Sequence, residues 1–268
     1  MREHKILEEG GSFPPNGWKV LKRNNDGGTY LKPEHLVDDN DGNVRPYKPR
    51  PKPKPAPKPL VDWAAIQEQF VVEADELAIL NLAEDLGVTV RSLALMGIGW
   101  CRAKEAWSFP MRDKYRSICG MRLRKDGSKF AIKGSSAGVF LPDLSMESWE
   151  DEERIYVCEG PTDTAAVLTM GAYAIGRPSA GGGSDIICKL AAGKKVVIVA
   201  DNDAAGARGA QTLCSALKQV GSRVKIVKPP AKDVRAWLND GATISDLEEL
   251  VDNTKERRDA KQVQSKPT

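Results

Sequence analysis

Hydrophobic residues in the second half of the chain form short continuous runs that alternate with amphipathic segments. The runs predict strands, at residues 155–159, 173–175, 195–200 and 223–227. The segments between them predict helices, at residues 162–170, 184–191 and 204–220. A fully apolar run such as VVIVA is typical of a parallel sheet that helices cover on both faces. We therefore predict a small doubly wound α/β unit here.

Between residues 61 and 141 the pattern predicts helices first and strands afterwards. One helix is predicted over residues 61–86, with Asp62 as its N-cap and apolar residues at helical spacing, at Ile66, Phe70, Leu77 and Leu80. A second helix begins near Val88, with Thr89 as its cap and four residues facing inward: Val90, Leu93, Ala94 and Met96. Short strands follow, at residues 106–111, 117–124, 129–132 and 138–141. This stretch predicts an α+β subdomain.

Residues 45–59 (RPYKPRPKPKPAPKP) contain seven prolines, six basic residues and no acidic residue. Such a segment is expected to be extended, either as a solvated linker or as one that also contacts a phosphate backbone weakly. Before it, fragments at 18–22 and 29–32 flank a polar turn and suggest a small hairpin. The sequence therefore predicts a polar segment at 1–44, which is a hairpin or disordered, and a linker at 45–59. The α+β subdomain follows at 60–145 and the α/β unit at 146–251. A disordered tail is predicted at 252–268.

Composition excludes several classes of protein. No apolar run approaches the roughly 18 residues that span a bilayer, and the N-terminus lacks the apolar core of a signal peptide. The five cysteines are an odd number without C-x-x-C spacing, which argues against a disulfide framework and a zinc site built from close cysteine pairs. We therefore expect a cytoplasmic protein without a membrane partner. With a net charge of +3, affinity for nucleic acid requires local basic patches.

Acidic residues follow two of the predicted strands. Glu159 ends the first, and Asp201 and Asp203 follow the strand VVIVA. Ligands of open α/β sheets bind at the carboxyl ends of strands, and carboxylates beside apolar strands need a compensating cation. The alternative explanation is helix N-capping, because Thr162 and Asp203 both stand where an N-cap would. Capping accounts for one acid at each strand, but not for Glu159 together with both Asp201 and Asp203. The pattern therefore predicts a Mg²⁺ or Mn²⁺ site.

Basic residues are concentrated between residues 112 and 133, where eight basic residues accompany two acidic ones. Several of them must share one face of a β hairpin and can hold phosphates or form a solvated face: Arg112, Arg122, Arg124, Lys129 and Lys133. The glycine-rich segment 176–183, which includes Arg177, is either a phosphate cradle or a plain turn. Asp233, after Lys232, is either a further carboxylate beside the metal or a helix N-cap.

The order of motifs resembles the Toprim domain, and within that fold the bacterial and phage (DnaG-type) primases. The resemblance rests on EGPTDTAAVLTMG, VVIVADNDAAGARGAQTL and KPPAKDVRAWLNDG. It extends upstream through LGVTVRSLALMGIGW, AWSFPMRD, GMRLR and SKFAIKGSSAGVF, and covers residues 61–241. It implies a Toprim domain preceded by a primase-core subdomain.

The resemblance also implies an activity, which is synthesis of short RNA primers on single-stranded DNA from nucleoside triphosphates. Glu159 is then a general acid or base, or a carboxylate linked to the metal. Asp201 and Asp203 carry the divalent metal. Lys232 and Asp233 resemble the last motif of the family, and both roles of Asp233, beside the metal or as a helix N-cap, stay open. The basic residues, with Arg177 and Lys232, line the path of template and nucleotide.

Primases of this type usually carry an N-terminal zinc ribbon that helps to select the start site, and this sequence departs from that pattern. Residues 1–60 contain no cysteine and only two histidines, His4 and His35, so they cannot form a four-ligand zinc site. No helicase motif is present either, so a replicative helicase or a separate start-site recognition protein is an expected partner. The reduced architecture suggests a phage or a mobile element.

Alternatives to primase activity are a Toprim nuclease and a non-catalytic remnant that binds single-stranded DNA or a helicase. A topoisomerase is disfavoured, because the chain has no room for a further tyrosine-bearing domain.

Overall fold

The computed structural model describes residues 18–23, 29–33, 61–143 and 154–256. The chain divides into two compact units, Met1–Pro57 and Lys58–Thr268. The predicted linker at 45–59, most of the segment 1–44 and residues 257–268 of the predicted tail lie outside the described residues. The boundary predicted at 145–146 also lies outside them.

The described part of the first unit is a hairpin of two antiparallel strands, as the sequence suggests. Strand β1 (Trp18–Arg23) pairs with β2 (Thr29–Pro33), and Trp18 lies opposite Pro33. The register shifts between Val20 and Lys22.

The second unit begins with three helices, α1 (Trp63–Glu73), α2 (Glu76–Leu86) and α3 (Val90–Leu95). The single helix predicted over residues 61–86 is wrong, because Ala74 adopts an extended conformation and Asp75 caps a new helix. Asp62 and Thr89 cap α1 and α3 as predicted.

The break also changes which apolar residues are buried. Leu77 and Leu80, two of the apolar residues at helical spacing, are 64% and 44% exposed. In α3, Leu93 and Met96 are buried as predicted, whereas Val90 and Ala94 are exposed. Leu95 takes an inward position instead.

An antiparallel sheet follows the helices, with its strands in chain order: β3 (Gly99–Cys101), β4 (Ala106–Arg112), β5 (Ile118–Lys125) and β6 (Ser128–Ala131). Helix α1 packs on one face of this sheet through Trp63 and Phe70, which contact the cluster that contains Met121 and Leu123. Phe109 points to the other face and joins the main core.

A parallel four-stranded sheet in the order β10-β9-β7-β8 forms the rest of the second unit, which confirms the predicted α/β class. Its elements in chain order are β7 (Arg154–Glu159), α4 (Pro161–Thr169), β8 (Ala174–Arg177), α5 (Ser184–Leu190), β9 (Lys195–Val199), α6 (Ala204–Gln219), β10 (Arg223–Val227), α7 (Val234–Asn239) and α8 (Ile244–Asp252).

Alternate residues of the parallel strands face two separate cores, as expected for a sheet covered on both faces. Val157 and Ile198 pack with residues of α5 and α6. Tyr156 and Val197 pack with residues of α2, α3, α4, α7 and α8. The predicted doubly wound unit is therefore present.

Residues 139–140 connect the two sheets. Val139 pairs with Arg112 at the end of β4, and Phe140 pairs with Gly176 in β8. The antiparallel and parallel sheets thus share one hydrogen-bonded junction. Within the described ranges, no helix is both long and apolar enough to cross a membrane.

Candidate active site

Carboxylates collect at the carboxyl ends of three adjacent parallel strands. Glu159 is the last residue of β7, Asp201 comes two residues after the end of β9, and Asp233 begins α7 after β10. Burial raises the pKa of Asp201 to about 6, with further contributions from Glu159, Asp233 and Asp203. The structure therefore brings together all four acids predicted from the sequence.

A fifth carboxylate, Asp163, belongs to the same cluster and was missed by the sequence analysis. It lies in the first turn of α4, four residues after Glu159, and is only 6% exposed. Its Oδ1 atom is buried without a hydrogen-bond partner. Burial, followed by repulsion from Asp233 and Asp201, raises its pKa to about 7. The only local signal was its position four residues after Glu159, at the start of the helix that follows the same strand.

Two of the acids also cap helices. Asp203 Oδ1 accepts a 2.7 Å hydrogen bond from Gly206 N, and Asp233 Oδ1 accepts one of 2.7 Å from Ala236 N. Each carboxylate has a second oxygen, so capping does not prevent it from binding a cation. Thr162 is not a cap, because Gly160, with φ at 93°, occupies the N-cap position of α4.

Basic residues of the antiparallel sheet face these acids. Lys129 lies directly opposite Arg124 in the β5–β6 pairing, so their side chains share one face. Lys129 Nζ is 3.9 Å, and Asp163 Oδ2 is 3.8 Å, from the position that a Cβ atom on Gly160 would take. The amine of Lys129 therefore lies over the turn between β7 and α4.

Arg124 and Arg235 complete the basic side of the site. Burial and the neighbouring Arg235 lower the pKa of Arg124, while Asp163 raises it. Arg235, in α7, also opposes the upward pKa shift of Asp163. Arg235 was not predicted from the sequence, where its position two residues after Asp233 was the only signal.

Arg122 and Arg177 lie beside the glycine-rich turn that follows β8. Arg122 Nη2 donates to the carbonyl of Pro178 at 3.2 Å, so this guanidinium anchors the turn. Arg177 is 4% exposed, and its Nε donates to the carbonyl of Gly182 at 3.3 Å. Its Nη2 has no partner, and Glu159 opposes the lowering of its pKa by burial.

The other three predicted phosphate-binding residues lie at the end of a strand or in turns. Arg112 Nη1 donates to the carbonyl of Arg116 at 3.1 Å, which commits it to the β4–β5 turn. Lys133 is exposed in the turn after β6. Lys232 is exposed, and its carbonyl accepts from Asn202 N at 2.9 Å, which ties the two acidic turns together. Their proposed contacts with nucleic acid stay predictions.

The donor set fits a divalent cation by its chemistry. Several carboxylates share a half-buried edge, and one buried oxygen, Asp163 Oδ1, has no partner. Carboxylate oxygens are the ligands that Mg²⁺ prefers in proteins. Among the residues that the structure describes, no three acidic, histidine or cysteine side chains are arranged so that they could hold an ion as they stand. Binding therefore requires a change of side-chain rotamer.

Comparison with known proteins agrees with this architecture. Residues 156–238 match the family model described as Toprim-like. The Aquifex aeolicus primase (zinc-binding and RNA polymerase domains) is 15% identical with a TM-score of 0.60, over 72% of this chain and 60% of that one. The E. coli primase catalytic core is 15% identical with a TM-score of 0.56, and the match covers 72% of this chain and 79% of that one. A DnaG primase catalytic domain bound to single-stranded DNA is 14% identical with a TM-score of 0.58, and the match covers 72% of this chain and 77% of that one. No curated protein matches the sequence.

The chain therefore carries a Toprim-like domain. Together with the preceding α+β subdomain, this domain has the fold of the catalytic core of DnaG-type primases. The family resemblance and the fold class inferred from the sequence are confirmed. At these identities the structural likeness shows the fold alone, and this chain spans 60% of the Aquifex aeolicus chain.

Proposed function

We propose that the protein is a primase-type nucleotidyltransferase that makes short RNA primers on single-stranded DNA. The observation that carries this proposal is the set of carboxylates at the strand ends facing Arg124 and Lys129. Phosphoryl transfer requires little covalent chemistry from a protein beyond positioning its reactants and neutralising charge. A buried acidic edge opposed by a basic sheet supplies both functions.

Glu159, Asp201 and Asp203 are the residues that would hold Mg²⁺ or Mn²⁺, with Asp233 as a further carboxylate beside them. A divalent cation bound there would lower the pKa of the primer 3′-hydroxyl and offset charge on the triphosphate. Glu159 additionally lies at the end of β7, where it can accept or position a proton. These assignments combine the strand-end geometry with the order of the acidic motifs.

Arg124 and Lys129 are the groups proposed to hold phosphates of the template or the nucleotide. Both lie on the side of the antiparallel sheet that faces the acids. Arg124 is half-buried, so it would interact with an anion in a region of reduced dielectric, whereas Lys129 is exposed. Arg122 has a different role, because its guanidinium holds the turn at Pro178. Arg177 is buried with an unpartnered Nη2, so an anionic oxygen could reach it only if the glycine-rich turn moved.

Single-stranded DNA and nucleoside triphosphates are the proposed substrates. A replicative helicase or a separate start-site recognition protein is the proposed partner, because no cysteine occurs in residues 1–60 to build a zinc ribbon. One structural neighbour, a DnaG primase catalytic domain, is bound to single-stranded DNA, which agrees with the choice of template.

The test supplies labelled ribonucleotides, single-stranded template and Mn²⁺ to the full-length protein and to Glu159→Gln. Extension by the wild-type protein, lost in Glu159→Gln but retained in the control Glu249→Gln on α8, supports the proposal. Cleavage of the template instead of extension identifies a nuclease. Retention of the template without either reaction identifies a non-catalytic remnant, and both of these results overturn primase activity.

A further inference from the structure

The corner between α1 and α2 exposes an unusual number of apolar side chains. Val71 and Val72 are 46% and 85% exposed, and Leu77 and Leu80 are 64% and 44% exposed. These four residues, which we call the α1–α2 corner, account for half of the eight large hydrophobic residues exposed in the described part of the chain. Clustered exposed apolar residues mark interaction sites, whereas single ones need no explanation.

Buried residues of both helices attach the corner to the core. The buried residues of α1 are Trp63, Gln67 and Phe70, which by the helical repeat lie on the side opposite Val72. In α2 the buried residues come only from its second half: Leu82, Ala83 and Leu86. Ile79, in the first half of α2, packs against the same core, whereas Leu77 faces solvent.

Local hydrogen bonds define the conformation of the corner. Ala74 N donates to the carbonyl of Val71 at 3.2 Å, and Asp75 Oδ1 accepts from Ala78 N at 3.0 Å. Only two residues separate the two helices. A preorganised apolar surface loses little conformational entropy when a partner binds.

The charge around the corner is mostly negative, although the positive charge of Arg102 lies close to Glu73 at the end of α1. Residues 61–90 contain seven acidic residues and no lysine or arginine, although the whole chain has 40 basic and 37 acidic residues. Glu68, Asp75, Glu76 and Glu84 are exposed. This surface repels nucleic acid and anionic lipid, and it also repels a second copy of itself.

We propose that the α1–α2 corner is a docking surface for a basic amphipathic helix of another protein. The apolar residues of such a helix recur every three to four positions and would cover Val72, Leu77 and Leu80, as in recognition of a helix by an apolar surface. Its lysines or arginines would lie against the acidic rim, which gives the complementary charge. The surface is independent of the carboxylates at the strand ends, so the proposal does not rest on the proposed primase activity.

The probe is a labelled 18-residue peptide of leucine and lysine, with leucine at helical i, i+3, i+4 spacing. Binding to the full-length protein is measured by fluorescence anisotropy. We expect Val72→Ser/Leu77→Ser to weaken binding at least tenfold, because it removes apolar contacts without opening a cavity. We expect Glu68→Gln/Glu76→Gln/Glu84→Gln to weaken binding at low salt and to flatten its dependence on salt.

Matched controls separate the corner from general charge effects. Val220→Ser removes an exposed apolar residue at the end of α6, and Asp240→Asn/Glu249→Gln/Asp252→Asn removes three exposed acids elsewhere. Both controls are expected to bind the peptide within twofold of the wild-type protein. Equal weakening by the controls, or unchanged binding by the corner variants, would overturn the proposal.

Two other occupants of the α1–α2 corner would give different results in these experiments. A peptide of residues 45–59 is basic but too rich in proline to form a helix. If it binds as tightly as the leucine–lysine peptide and Val72→Ser/Leu77→Ser abolishes its binding, the occupant is the chain's own segment. If sedimentation shows a dimer that the same double variant dissociates, the occupant is a second copy. Either result overturns the proposal.

Discussion

Phe140 and Gly176 exchange both of their backbone hydrogen bonds, at 2.8 and 2.9 Å. Val139, the neighbour of Phe140, exchanges backbone hydrogen bonds with Arg112 in the same way. A two-residue bridge therefore joins the antiparallel sheet, which carries Arg124 and Lys129, to the parallel sheet, which carries the acids. This junction fixes the side chains of opposite charge in one site.

The first prediction concerns Gly176 at this junction. A Cβ atom there would lie 2.3 Å from Thr164 Oγ1, 2.9 Å from the carbonyl oxygen of Gly160 and 3.0 Å from Phe140 Cβ. The carbonyl oxygen of Gly160 belongs to the backbone and cannot rotate away as a side chain can. Gly176→Ala therefore strains the junction. We expect a loss of about 1–3 kcal/mol in the free energy of unfolding, the usual range for overpacking, measured by urea denaturation.

Gly181→Ala is the matched control, because no atom lies within 4 Å of a Cβ atom at Gly181 and its φ is outside the left-handed region. Its unfolding midpoint should be unchanged or slightly higher, since alanine restricts the unfolded chain. Equal stability of the two variants would show that Gly176 can shift without strain.

The strand ends and their acids were predictable because the signals are local. The run VVIVA and the acids at 201 and 203 are adjacent in sequence, and parallel strands place their carboxyl ends along one edge. The face shared by Arg124 and Lys129 follows from the two-residue repeat of a strand and a short hairpin turn. These features required no knowledge of tertiary contacts.

The missed features depend on tertiary structure or on weak local signals. Residues 61–86 contain neither glycine nor proline, so the periodicity predicted one helix, although Asp75 before Glu76 is a typical N-cap signal. The importance of Asp163 arises from burial beside Asp201 and Asp233, which are distant in sequence. The orientation of Arg112 towards Arg116 is a choice of rotamer that spacing does not reveal.

The second prediction concerns the proposed metal site. Asp201→Asn/Asp203→Asn should abolish Mn²⁺ binding while the fold is retained, because asparagine keeps the shape and capping ability of aspartate but not its charge. Isothermal titration calorimetry measures the affinity, and Asp240→Asn, an exposed position at the end of α7, is the control. Unchanged affinity in the double variant would rule out these residues as ligands.

The third prediction concerns pH and Asp163. Its pKa is raised from 3.8 to about 7 in the folded protein, mainly by burial. A raised folded pKa contributes stability that is fully present below the unfolded pKa, near 4, and is lost as the pH rises through about 7. The metal-free wild-type protein should therefore lose stability between pH 5 and pH 8.5.

Asp163→Asn should remove this part of the pH dependence, because asparagine stays neutral. Relative to the wild-type protein, we expect the variant to gain about 1–3 kcal/mol between pH 5 and pH 8.5. Thermal unfolding in EDTA at both pH values measures the difference. Asp240→Asn should show no such gain, and an equal pH dependence in Asp163→Asn and the wild-type protein would contradict the assignment.

The last prediction separates phosphate binding from catalysis by the dependence of template binding on salt. Each phosphate contact to a single strand contributes about 0.7 to the slope of log affinity against log salt concentration. Arg124→Ala and Lys129→Ala should each weaken binding of labelled single-stranded DNA and flatten the slope by about that amount. Glu159→Gln should leave the slope unchanged, or tighten binding by removing a repelling charge, while it stops nucleotide incorporation.

Lys218→Ala is the control for this series. Lys218 lies in the last turn of α6, which begins beside the acids at Asp203 and runs 16 residues away from them. Fluorescence anisotropy across a salt series should give the wild-type slope for this variant. If Lys218→Ala flattens the slope as much as Lys129→Ala does, binding depends on net charge and not on the basic face opposite the acids. If Lys129→Ala weakens binding without changing the slope, its amine supports the β7–α4 turn and contacts no phosphate.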